Sequence, residues 1–90
     1  SEDDANRATV ILIRANKISG GLYHDDLISV LRQLVSLDPR KAQYHASFAS
    51  VYAEAGKIDE AVIEARAAVE ADPSFEAEAR DFLKQLGREL

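Results

Sequence analysis

Laid over itself at an offset of 34 residues, this 90-residue chain agrees with itself. Asp38-Pro39 falls on Asp72-Pro73, Val35 on Val69, Leu34 on Ala68, Leu27 on Ala61, Ala15 on Ala49 and Ile18 on Tyr52. A repeat of this length constrains the fold, because each copy must be one supersecondary unit that buries its apolar face against the next. The apolar residues inside each copy recur at three- and four-residue steps, as one face of a helix does. No stretch alternates with the period of two that a strand needs.

The punctuation divides the chain into five expected helices. The first spans about residues 6–20, with Ala8, Ile11, Leu12, Ala15 and Ile18 as its apolar stripe, and ends at Gly20-Gly21. The second, about 24–37, opens on Asp25 and Asp26, which suit the positive end of a helix dipole. It carries Leu27, Ile28, Leu31, Leu34 and Val35, and stops before Pro39, since proline disfavours helix in the residue ahead of it. The third, about 41–55, carries Tyr44, Phe48, Val51 and Tyr52 and is closed by Gly56, a fitting C-terminal cap. The fourth, about 58–71, has Ala61, Ala65, Ala68 and Val69 and stops at Asp72-Pro73. The fifth, about 75–88, has Ala79, Phe82, Leu83 and Leu86. The fold class is therefore all-α, an antiparallel stack of helical hairpins.

Residues 42–75 resemble one tetratricopeptide repeat. His45, Phe48-Ala49, Tyr52, Gly56, Ala61, Ala68 and Asp72-Pro73 stand at that family's characteristic positions, and the string from Tyr52 to Ala61 is very like family members. Residues 8–41 match as a divergent repeat, with Arg14 at a bulky apolar position and Leu22 at the turn glycine. Residues 76–90 resemble the capping helix that follows a last repeat, and residues 1–7 read as a disordered or frayed acidic N-terminus. The resemblance implies a right-handed superhelix whose first helices line a concave groove. Carried over by position, the groove would hold Thr9, Leu12, Asn16 and Ser19 from repeat one and Gln43, Ala46, Ser50, Ala53 and Glu54 from repeat two. One subfamily grips acidic chaperone tails with lysine, arginine and asparagine there. Ala46, Ser47 and Ser50 occupy matching positions here, so the charge-assisted clamp such a tail requires is absent. Val10 and Ile13 lie off the first helix's main stripe, and are read as a self-association patch or a contact with an upstream helix.

Nothing in the sequence assembles a catalytic constellation, and the chain reads as not an enzyme, with no catalytic, metal or cofactor residues. His24 and His45 are far apart, and adjacent side chains such as His24-Asp25-Asp26 point in different directions on a helix. His45 reads as a packing residue with a satisfied ring nitrogen. Gly56-Lys57 is no phosphate loop, because Val51 stands where that motif needs its first glycine. The net charge of −5 owes three units to Glu2, Asp3 and Asp4, and the basic residues form no run, which points away from nucleic acid. The longest apolar run, Val10 to Ile13, is far too short to span a bilayer, so no direct membrane insertion is expected. Cysteine is absent, which leaves the redox compartment open. The compartment is unknown, with the cytoplasm favoured. Methionine is absent too, which suggests a piece of a larger protein. The expected function is a protein-interaction scaffold that binds an unidentified peptide or protein segment on its concave face. The alternative is a structural spacer or homodimerisation module without a separate ligand.

Overall fold

The computed structural model describes residues 2–90, which form five α-helices and one short 3-10 turn: α1 Glu2–Ser19, α2 His24–Leu37, α3 Ala42–Glu54, α4 Ile58–Ala71, the turn Pro73–Phe75, and α5 Glu76–Gln85. No strand occurs among the described residues. The helices pair as hairpins, α1 with α2 and α3 with α4, and α5 closes on α4. The Cα atoms fill 30 × 27 × 16 Å, a slab two helix layers thick at the usual interaxial distance of roughly 8–10 Å.

The helix ends alternate in kind, as the punctuation of the sequence requires. α1 and α3 close through glycines with left-handed backbone, Gly20 at φ 73° and Gly56 at φ 78°. The amide of the following residue then reaches back five positions: Gly21 to the Asn16 carbonyl and Lys57 to the Tyr52 carbonyl, both at 2.8 Å. Only glycine adopts that backbone without steric cost. α2 and α4 instead stop at Asp-Pro. The Asp38 carboxylate accepts from the Arg40 amide at 3.3 Å, and the Asp72 carboxylate from the Ser74 amide at 3.0 Å. These equivalent turns lie 34 residues apart in the sequence.

α3 sits between two apolar clusters. Tyr44, Phe48 and Val51 face α2, where they join Leu27, Ile28, Leu31, Leu34 and Ala5. Ala49 faces Val62, Ala65 and Leu83 of α4 and α5, with Phe82 alongside. Leu27, Leu31, Leu34 and Leu83 are the largest fully buried side chains, each contributing about 1.5–3 kcal/mol relative to exposure. Ala49 and Ala61 are 2% and 0% exposed, and their small side chains let α3 and α4 approach closely. His45 is buried with both ring nitrogens engaged. Nε2 lies 2.8 Å from the Pro39 carbonyl, which can only accept, so Nε2 donates; one proton lies between Nδ1 and Glu64 Oε1, 2.9 Å away.

The first hairpin departs from the sequence expectation in two ways. The acidic N-terminus is helical from Glu2, not frayed over residues 1–7; Ser1 lies outside the described residues. The reason is a tie to the next hairpin. Glu2 accepts from the Tyr44 hydroxyl and from Lys41 Nζ at 3.3 Å, and Asn6 Nδ2 donates to the same hydroxyl at 3.3 Å. The second departure is the roll of α1. Its inward face is Ala5, Thr9, Leu12 and Asn16, whereas Ile11 and Ile18 of the expected stripe are 66% and 88% exposed and Ala15 is only half-buried. Two polar residues thus face inward, because each satisfies itself locally. Thr9 Oγ1 donates to the Ala5 carbonyl at 2.8 Å, and Asn16 Oδ1 accepts from the Tyr23 amide at 2.8 Å. The Asn16 bond fastens the α1–α2 turn and fixes the roll.

Candidate binding groove

α3 presents Gln43, Ala46, Ser47, Ser50 and Glu54 away from both apolar clusters, at the three- and four-residue steps of one helix face. The small size of Ala46, Ser47 and Ser50 is what leaves a groove along the middle of this face. Three hollows open along this face. One of about 500 Å³ lies between the C-terminal halves of α1 and α3, walled by Ile13 and Lys17 on one side and Ser47, Ser50 and Glu54 on the other. A second, about 520 Å³, lies between their N-terminal halves, with Asn6 and Thr9 facing Gln43, Ala46 and Ser47. The third, about 130 Å³, lies between α3, α4 and α5, floored by Ala49, Ala65 and Ala68 and flanked by Phe75 and Phe82. Ser47 borders both hollows on the α1 side. Ala46 and Ser50 each border one of these and also the hollow on the α5 side, so the three form one track along α3.

The residues expected in the groove divide into three groups. Gln43, Ala46, Ser50 and Glu54 border the hollows, and the first and last two are exposed. Thr9 and Asn16 border them too, but are buried, with Thr9 Oγ1 committed to the helix backbone and Asn16 Oδ1 to the turn. Leu12 is packed against the α2 cluster, Ala53 is half-buried and Ser19 exposed, and neither Ala53 nor Ser19 borders these three hollows. Val10 is 55% exposed on the outward side of α1, whereas Ile13, at 44%, turns to the hollow beside α3. Ile13, Lys17, His24, Phe75 and Phe82 also line the hollows, outside the expected groove set, and so does Ser47, which the sequence names only at a position of the chaperone-tail clamp. Phe75 and Phe82 come from the closing segment; at the 34-residue offset they fall on Lys41 and Phe48, not on the groove positions of α3, so the sequence period does not signal them.

Charge in the groove is sparse and mixed. Lys17 stands on the α1 wall and Glu54 on the α3 wall, and His24 Nε2 lies 3.6 Å from Glu54 Oε2. Glu78 rims the α5 hollow. At the N-terminal end, hydrogen bonds from Tyr44 first and Lys41 second hold the Glu2 carboxyl below the usual carboxylate range. Hydrogen bonding to Tyr44 and then to Glu2 holds Lys41 above the usual lysine value. Among the described residues no three His, Cys, Asp or Glu side chains converge as a metal ion requires, and no helix is long and apolar enough to cross a membrane.

No protein-family model matches this chain, and neither a curated protein nor a solved structure matches it.

Proposed function

We propose that the chain is a protein-interaction module of the tetratricopeptide-repeat kind, taking a peptide or protein segment in the groove between α1, α3 and α5. The observation that carries this reading is the continuous track along α3, with hollows on both flanks and only small or short polar side chains between them. Binding sites are typically concave, largely apolar and furnished with a few polar groups that orient the ligand. The α5 hollow, between Phe75 and Phe82, suits an apolar anchor side chain, and Gln43, Ser47 and Ser50 offer neutral hydrogen-bond groups. With Lys17 facing Glu54 and no cation cluster, the groove favours a ligand that is not strongly acidic. The reading makes the role scaffolding rather than catalysis.

The test is a peptide selected from a random display library against the chain, with its affinity measured by calorimetry. Ser50→Arg and Ala46→Arg each place a long cation in the track without touching either apolar cluster, and each should weaken binding ~10-fold or more, at least 1.4 kcal/mol. Salt should alter the affinity little, because the contacts are not charge-led. Asn16→Ala is no test of the groove, since it also unfastens the α1–α2 turn. If both arginine variants bind the peptide as the parent does, the groove reading is wrong.

A further inference from the structure

The roll of α1 leaves a second surface that shares only Lys17, at its edge, with the groove. Its outward face carries Arg7, Val10, Ile11, Arg14, Lys17 and Ile18, all exposed, with Ile18 at 88%. The cations are interleaved with the apolar side chains. On a helix lying in a lipid interface they would rim the apolar face instead. Two such faces paired antiparallel would bring Arg7 of one copy beside Arg14 of the other, so like charge opposes a symmetric contact.

A complementary face exists on the same chain. α4 presents Glu60, Ile63, Ala67 and Glu70 outward; Ile63 is 62% exposed and Glu60 and Glu70 are exposed. These four stand at i, i+3, i+7 and i+10, the spacing of Arg7, Val10, Arg14 and Lys17 on α1. Arg7 and Lys17, and likewise Glu60 and Glu70, are therefore about 15 Å apart along their helices. Laid side by side in the same direction, Arg7 meets Glu60, Val10 meets Ile63, the aliphatic stem of Arg14 covers Ala67, and Lys17 meets Glu70. Among the described residues, none of these five charged groups makes a hydrogen bond or ion pair within the chain, so each is available.

We propose that two copies of this chain associate head to tail, the outward face of α1 in one copy seated on the outward face of α4 in the next. Such a contact is heterologous: each copy keeps one face free, so association extends into open chains rather than stopping at a dimer. The charged pairs are solvent-exposed, so the contact weakens as salt rises.

Sedimentation velocity across a concentration series, at low and at high salt, tests this. Three proteins are compared: the parent chain, an Arg7→Glu/Arg14→Glu variant and a Glu60→Lys/Glu70→Lys variant. The parent's mass should climb with concentration from the 9.9 kDa of one chain past that of two, and fall back at high salt. Each charge-reversed variant alone should stay monomeric, and an equimolar mixture of the two should regain association. A second pair, Val10→Asp and Ile63→Asp, checks the same geometry through apolar contacts. Each alone should be monomeric, and the mixture should stop at a one-to-one dimer. Circular dichroism confirms that each variant keeps the parent's helix content. A parent that stays monomeric at every concentration overturns the proposal. So does a Glu60→Lys/Glu70→Lys variant that still associates, which would place the contact elsewhere, and so does binding of the parent to anionic vesicles without self-association.

Discussion

Replacing Ala61 by leucine asks whether α3 and α4 are as close as the structure has them. Ala61 is 0% exposed and borders none of the three groove hollows, so the three added carbons meet packed side chains on every side. Overpacking of this kind costs about 1–3 kcal/mol. A chain of 90 residues has roughly 5–13 kcal/mol of stability in all, at about 0.05–0.15 kcal/mol per residue. With about 4–8 °C lost per kcal/mol in a domain of this size, the midpoint should fall by roughly 4–24 °C. Ala49→Leu is the internal comparison. Ala49 is 2% exposed but borders the hollow between Phe75 and Phe82, so the larger side chain has space to enter and should cost less. Thermal unfolding followed by circular dichroism reads both. An unchanged midpoint for Ala61→Leu, or a larger loss for Ala49→Leu than for Ala61→Leu, would refute the packing argument.

Other perturbations probe other links. Leu83→Ala removes a fully buried side chain that joins α5 to α3 and α4, and should cost about 2–5 kcal/mol by chemical denaturation, far more than Leu86→Ala at its half-buried neighbour. Deleting residues 75–90 uncovers the same cluster and should yield aggregation or partial unfolding in light scattering, because a terminal repeat needs a polar outer face. His45→Phe keeps the ring but strands the Glu64 carboxylate and the Pro39 carbonyl, and should cost about 1–3 kcal/mol in denaturant titration. The Glu2 tie gives a pH dependence of known sign. Because Glu2's folded value is depressed, its stabilisation is present above the ordinary carboxylate range and lost as pH falls through the folded value. Lys41 is raised, so its share holds below the ordinary lysine value and fades as pH climbs through the folded one. Amide exchange in the first turns of α1 should accelerate at both extremes, and Glu2→Gln should abolish the acid-side acceleration.

α2, α3 and α4 lie within a residue or so of their expected bounds, because their stops are chemical, whereas α1 starts four residues early and α5 ends three residues early. Paired or single glycines close α1 and α3, and Asp-Pro closes α2 and α4. The sequence also carries the inward faces of α2 to α5, where apolar periodicity and burial coincide. The roll of α1 escapes periodicity, which sees only apolar residues. Thr9 and Asn16 face inward through bonds to the Ala5 carbonyl and the Tyr23 amide, and these bonds left Ile11 and Ile18 outside. The N-terminal tie was equally hidden. Glu2 and Tyr44 stand 42 positions apart, and an acidic end with no local partner reads as frayed until a distant hydroxyl is found for it. The α3 residues that border the hollows stand where the 34-residue period of the sequence puts them, whereas the hollow between Phe75 and Phe82 depends on how α5 closes on α4.

Reception of a peptide along α3 is read residue by residue by titrating a display-selected peptide into isotope-labelled protein, with each backbone amide followed by NMR. Shifts should concentrate at Ala46, Ser47, Ser50 and Glu54, with the facing residues Ile13 and Phe82 joining them. Shifts confined to the outward faces of α1 or α4, at Val10, Ile18 or Ile63, would contradict it.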